Sequence, residues 1–100
     1  MVYENILRTL IVIPARYKSK RFEGKPLALI RDKTGIKKTL IERTWDSAKK
    51  VKKIDKVIIA TDDERIEKEC KRFGADVAMT SKSCKNGTER VGETVRSLKE

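Results

Sequence analysis

The chain predicts an α/β fold, on three observations. Residues 9–13 and 57–60 are short continuous apolar runs, the pattern of strands buried on both faces of a parallel sheet. The stretches that follow repeat their apolar residues at helical spacing. Strand and helix therefore alternate, which builds parallel crossover units with right-handed connections. The expected architecture is a Rossmann-like, doubly wound, mainly parallel sheet, whose ligands bind outside the carboxyl ends of the strands.

Residues 9–13 form the first strand, which ends at Pro14. Residues 14–25 read as a loop, 26–30 as a brief extended segment and 31–35 as a charged turn. The first helix starts at Thr39, because Thr39 and Glu42 have capping-box spacing. Leu40, Ile41, Trp45, Ala48 and Val51 share its inner face. Residues 57–60 make the second strand. Residues 61–64 then open a helix, with the Thr61 hydroxyl as cap and acids in the first turn, where the helix dipole favours them. Ile66, Cys70 and Phe73 follow at i, i+4 and i+7, and Gly74 stands where a C-terminal cap belongs. Residues 76–79 read as a third strand and 80–87 as a polar loop. Gly87, Thr88 and Glu89 open a last helix with Val91, Val95 and Leu98 facing inward. The loops after the first and third strands share one edge and are expected to face a common ligand.

The chain has 100 residues, with 40% charged, 38% apolar and a formal net charge of +10. That charge suits an anionic partner: a nucleotide, nucleic acid or an acidic membrane surface. Composition alone does not choose among them. The lack of histidine excludes histidine-based triads, general bases and metal ligands. Cys70 and Cys84 show neither metal-ligand spacing nor a disulfide framework, so reduced thiols in a cytoplasmic protein are the plain reading. No apolar stretch approaches the length of a membrane span, and no linker or repeat divides the chain.

The densest chemistry lies just past the first strand, where Arg16, Lys18, Lys20, Arg21 and Lys25 are opposed by Glu23 alone. Such like charge repels itself unless an anion sits among it. A triphosphate needs several cations together with backbone donors. Arg16 and Arg21 offer planar forks, Lys25 a point charge, Ser19 a short donor, and Gly24 a close backbone approach. A solvated basic loop is the competing reading. Asn86, Gly87 and Thr88 offer amide, backbone and hydroxyl groups to a base or ribose, with a turn and helix cap as the equal alternative. Asp62 and Asp63 read as capping residues rather than a metal pair. The lysines at 49, 50, 52, 53 and 56 read as a solvated helix end.

Residues 13–27 resemble the nucleotide-binding signature of the 3-deoxy-manno-octulosonate cytidylyltransferase (CMP-Kdo synthetase) family, Ile-Pro-Ala-Arg-x-x-Ser-x-Arg-x-x-Gly-Lys-Pro-Leu. Every fixed position is present: Ile13, Pro14, Ala15, Arg16, Ser19, Arg21, Gly24, Lys25, Pro26 and Leu27. Two further blocks are similar in order, residues 59–66 around Thr61-Asp62-Asp63 and Met79-Thr80-Ser81 with Gly87-Thr88-Glu89-Arg90. Cys84 and Asn86 depart from the histidine and serine frequent in that family.

The resemblance implies a nucleotide-diphospho-sugar transferase type of fold, with residues 1–100 as the N-terminal, CTP-binding part of one cytidylyltransferase domain. It implies transfer of CMP from CTP to an acidic sugar, a 3-deoxy-2-ulosonic acid, with release of pyrophosphate, for lipopolysaccharide or capsule synthesis. Arg16 and Lys25 would carry the catalytic charge neutralisation, and Pro14, Ala15, Ser19, Arg21, Asn86, Gly87 and Thr88 would join them around CTP. Mg2+ is implied as cofactor, with ligands further along than this chain reaches. A Gly-Asp-Glu-Pro block, a later aspartate, the sugar pocket and a dimerisation segment are likewise expected beyond residue 100. The chain alone is therefore expected to be incomplete for catalysis, and the full-length protein to be a homodimer. Neither nucleic acid nor membrane is expected as partner. The alternatives are a cytidylyltransferase for another acid sugar, of sialic or pseudaminic type, and a basic nucleic-acid-binding module.

Overall fold

The computed structural model describes residues 2–4, 9–18 and 23–99. Within them a four-stranded sheet has the order β1-β2-β5-β6. Its strands are β1 (Val2–Glu4), β2 (Thr9–Pro14), β5 (Lys56–Thr61) and β6 (Asp76–Met79). A hairpin of β3 (Leu29–Arg31) and β4 (Lys37–Thr39) stands apart from it. Three helices complete the described fold: α1 (Leu40–Lys49), α2 (Glu64–Arg72) and α3 (Gly87–Lys99).

The two apolar runs pair as parallel central strands, Ile11 opposite Val57 and Ile13 opposite Ile59. Their side chains alternate between two cores, as the twofold period of a strand requires. Ile11, Ile13, Val57 and Ile59 face one core with Ile41 of α1 and Ile66 and Cys70 of α2. Leu10, Val12, Ile58 and Ala60 face the other with Val91 of α3. Helices thus cover both faces, as a doubly wound sheet demands. Trp45 and Phe73, with ring centres 5.1 Å apart, join α1 to α2 on the first face.

The element boundaries correct the sequence reading in five places. β1 runs antiparallel on the outer side of β2, Val2 opposite Ile11, and no strand was expected there. Residues 26–30 do not form a single extended segment. A 3-10 turn, Lys25–Leu27, comes first, because Pro26 presets a helical φ; β3 follows, held to β4 by the turn at Asp32. The α2 cap is the Asp63 carboxylate, which accepts from the amides of Arg65 (2.8 Å) and Ile66 (3.4 Å). Thr61 is instead the last, fully buried residue of β5. Val51 lies past the end of α1 and is 49% exposed, and Leu98, 47% exposed, faces solvent rather than the core.

Other expected signals appear as read. Thr39 caps α1, its hydroxyl accepting from the Glu42 amide at 3.3 Å. The reciprocal half of the box is replaced: the Glu42 carboxylate pairs with Arg72 of α2 at 2.7 Å. Gly74 takes φ +83 after α2, and the Gly74 and Ala75 amides reach back to the Lys71 and Cys70 carbonyls, the paired bonds of a Schellman cap.

Candidate functional site

β2, β5 and β6 run parallel, so their carboxyl ends open on one edge, and the loops leaving them bound a cleft of about 380 Å³. The loop after β2 contributes Arg16, Tyr17 and Lys18; the β5–α2 junction contributes Asp62, Asp63 and Arg65; the β6–α3 connection contributes Lys82 and Cys84, and the first turn of α3 contributes Arg90. The two loops expected to share a ligand do meet. Arg16 Nη1 donates to the Lys85 carbonyl at 3.5 Å, a long bond. Gly87 lies so near Pro14 that a Cβ there would stand 3.3 Å from the proline Cγ.

Inside the cleft each acid is held by an arginine. Asp63, besides capping α2, accepts Arg65 Nε at 3.1 Å and Nη2 at 2.7 Å, a two-pronged pair. The Arg65 guanidinium holds the Asp63 carboxyl below its ordinary range, helped by the two amides it caps, and Arg65 is held correspondingly more basic. The same guanidinium lies over the Tyr17 ring, its Cζ 3.3 Å from the ring centre. Across the cleft Arg90 is buried, only 1% exposed. It donates to the Thr80 hydroxyl and, at 3.3 Å, to Asp62 Oδ2, while its Nε has no partner among the described residues.

Asp63 sets a sign for acid stability. Its folded pKa is lowered from 3.8, so its contribution is complete above about pH 4 and is lost as pH falls through the folded value. Glu69, held down by Arg72, acts in the same direction. The urea midpoint is expected to stay level from pH 7 to about 5 and to drop below about 4, less steeply in Asp63→Asn. Denaturation at a series of pH values measures this.

Arg16, Lys18 and Lys82 are exposed and have no carboxylate partner among the described residues, so the cleft is an excess-positive surface. Cys84 is half-buried with its Sγ 3.8 Å from Glu93; burial and that carboxylate push the thiol up, opposite to an activated nucleophile.

The site residues read from the sequence are placed unevenly. Arg16 lines the cleft. Pro14 ends β2, and Ala15 is buried with its amide spent on the Ala60 carbonyl at 2.8 Å. Lys25 opens the 3-10 turn, exposed and outside the cleft lining. Asn86 is exposed and its side-chain oxygen accepts from the Glu89 amide at 2.9 Å, the capping role. Gly87 and Thr88 begin α3. Ser19 and Arg21 lie outside the described residues. Sequence reasoning missed Tyr17, Arg65 and Arg90 as cleft residues. For Arg90 a signal existed: it stands one position before Val91 and four before Thr94, on the buried stripe of α3.

A two-sided α/β sheet with a cationic cleft at its carboxyl edge defines a Rossmann-like domain built to attract anions. A model of the cytidylyltransferase family matches residues 10–100, and the chain belongs to that family. It is 52% identical over 91 residues to the mitochondrial 3-deoxy-manno-octulosonate cytidylyltransferase of Arabidopsis thaliana, covering 91% of this chain and 30% of that protein. Against the 3-deoxy-manno-octulosonate cytidylyltransferase of Zea mays it is 50% identical, covering 91% of this chain and 29% of that protein. A solved structure of CMP:2-keto-3-deoxy-manno-octonic acid synthetase complexed with CTP superposes with a TM-score of 0.77 at 39% identity, over 88% of this chain and 34% of that one. The chain therefore spans about a third of the length of the relatives it matches. No helix among the described residues is long and apolar enough to cross a membrane.

Proposed function

We propose that this chain is the CTP-binding part of a cytidylyltransferase that joins CMP to a 3-deoxy-2-ulosonic acid and releases pyrophosphate. The observation that carries the reading is the cleft itself. Its two acids are neutralised by Arg65 and Arg90, leaving Arg16, Lys18 and Lys82 for a polyanion. The cleft also lies at the carboxyl edge of a sheet that superposes on a CTP-complexed synthetase.

In this reading the sugar hydroxyl attacks the α-phosphorus in line and pyrophosphate departs. The work of the protein is positioning and charge neutralisation. The Arg16 guanidinium grips phosphate oxygens, and Lys18 and Lys82 add charge from either side of the cleft. Ser19, Arg21 and Lys25 belong to the same proposal, with Lys25 reaching from outside the cleft lining. Asn86, Gly87 and Thr88 face base or ribose from the start of α3, and there the Asn86 amide keeps its free N–H2 for a ligand while its oxygen caps the helix. Mg2+ would supply further charge neutralisation at the phosphates, with its ligands expected beyond residue 100; among the described residues no three acidic or cysteine side chains converge to hold it. Asp62 and Asp63 are both taken by guanidinium groups, which leaves neither carboxylate free as a metal ligand. A homodimer of the full-length protein and a cytoplasmic setting complete the proposal.

Titration calorimetry on the folded chain tests it. CTP is expected to bind more tightly than inorganic triphosphate, and Arg16→Ala to weaken CTP about tenfold, the worth of one charge-assisted hydrogen bond. Equal affinity for CTP and triphosphate would overturn the nucleotide reading. Binding to DNA or RNA that falls steeply with salt, with no CTP preference, would replace it.

A further inference from the structure

The basic loop leaves the sheet at Pro14, and the Tyr17 ring lies against Gly24, where the 3-10 turn begins. The Gly24 amide donates to the Tyr17 carbonyl at 2.6 Å. Gly24 itself has φ +75, and a Cβ on it would stand 3.2–3.3 Å from the Tyr17 ring atoms. That ring is in turn held by Arg65 from α2, whose Cζ sits 3.3 Å from the ring centre. Arg65 cannot rotate freely there, because Asp63 grips its Nε and Nη2 at 3.1 and 2.7 Å, and Asp63 is fixed by capping two amides of α2. A rigid helix end is thereby connected, through carboxylate, guanidinium and ring, to the neck of the loop.

The fold does not need this connection. Asp63 caps α2 without Arg65, and the Arg65 side chain is 58% exposed. What the stack holds is Tyr17, whose neighbours in sequence, Arg16 and Lys18, both line the cleft. Two unpaired cations held beside each other in advance bind a polyanion without ordering the loop at that moment.

We propose that Arg65, acting through Tyr17, is a positioning residue for polyphosphate binding, holding Arg16 and Lys18 in place before the ligand arrives. The proposal rests on the anion-binding reading of the cleft but not on the identity of the nucleoside.

Inorganic triphosphate and CTP are titrated separately into the wild-type chain and into Arg65→Ala, Arg65→Lys and Tyr17→Phe, and tryptic cleavage after Lys18 is followed without ligand. Arg65→Ala is expected to weaken both ligands about fivefold and to speed the cleavage several-fold, with thermal unfolding little changed. Arg65→Lys behaves like Arg65→Ala, since an ammonium cannot offer both the fork and the flat face. Tyr17→Phe, which keeps the ring, stays within about twofold of wild type in both readouts. Triphosphate affinity unchanged in Arg65→Ala overturns the proposal. So does weaker binding with unchanged cleavage, which marks Arg65 as a direct phosphate contact instead. A wild-type chain that binds triphosphate without preferring CTP sinks the cytidylyl reading alone, and the Arg65 variants still decide the positioning role. Binding of neither ligand sinks both.

Discussion

Arg90→Ala is expected to destabilise the chain by about 3 kcal/mol, lowering the urea midpoint by roughly 2 M. The argument starts from burial. Arg90 is the largest side chain in the fully buried set, at 1% exposure, in a small domain with little core to spare. A guanidinium there survives because Thr80 and Asp62 accept from it. Removing it leaves the Asp62 carboxylate without its counter-charge and opens a cavity under the first turn of α3. Both penalties act together, whereas removing the pair as a unit would cost less. The double variant Arg90→Met with Asp62→Asn is therefore expected to recover part of the loss. Because Met refills the cavity while Asn removes the stranded charge, Arg90→Ala with Asp62→Asn separates the two: destabilisation equal to that of Arg90→Ala alone would show that packing, not charge, carries the effect. Because Arg90 also lines the cleft, its loss is expected to move the β6–α3 connection and weaken CTP in the same titration.

Arg90 also shows where sequence reading stops. Periodicity located β2, β5, β6 and the three helices, because burial on both sheet faces writes continuous apolar runs and helices write stripes. The Arg16-centred loop was legible for a different reason: unopposed charge is visible without coordinates. Arg90 sits on the buried stripe of α3, but its residue type outweighed its position, because a buried arginine looks like a surface one until its partners are known. Thr80 lies ten residues away and Asp62 twenty-eight, on different strand ends. Arg65 was hidden likewise, since Tyr17 reaches it only through the β2–β5 pairing. Thr61 misled because a threonine before two acids fits a cap equally well; the structure gives the cap to Asp63, two residues on, because β5 runs one residue further than its apolar run. Strand β1 left no signal, being only three residues long and ending in a charge at Glu4. Asn86, Gly87 and Thr88 were legible as a helix start, and their geometry is that of a helix start.

Ile59→Ala is expected to cost about 3–4 kcal/mol and to leave the chain near the limit of folding. Ile59 is fully buried in the central strand β5, opposite Ile13 on one side and Val77 on the other. Its side chain enters the core that α1 and α2 close, among Ile11, Ile41, Ile66 and Cys70. Strands on both sides and helices on top leave no element free to collapse into the void, so the cavity term adds to the lost transfer energy. The same truncation at Ile30, 40% exposed on the separate β3–β4 hairpin, is expected to change stability by less than about 1 kcal/mol. Urea denaturation of the two variants, read on Trp45 fluorescence, makes the comparison. Trp45 packs against Phe73 over this same core, so its emission reports the loss where it occurs. A small effect at Ile59 would mean that the parallel strands are not the stable centre of the fold. The cleft would then lack the rigid edge on which Arg16 and Arg65 are held.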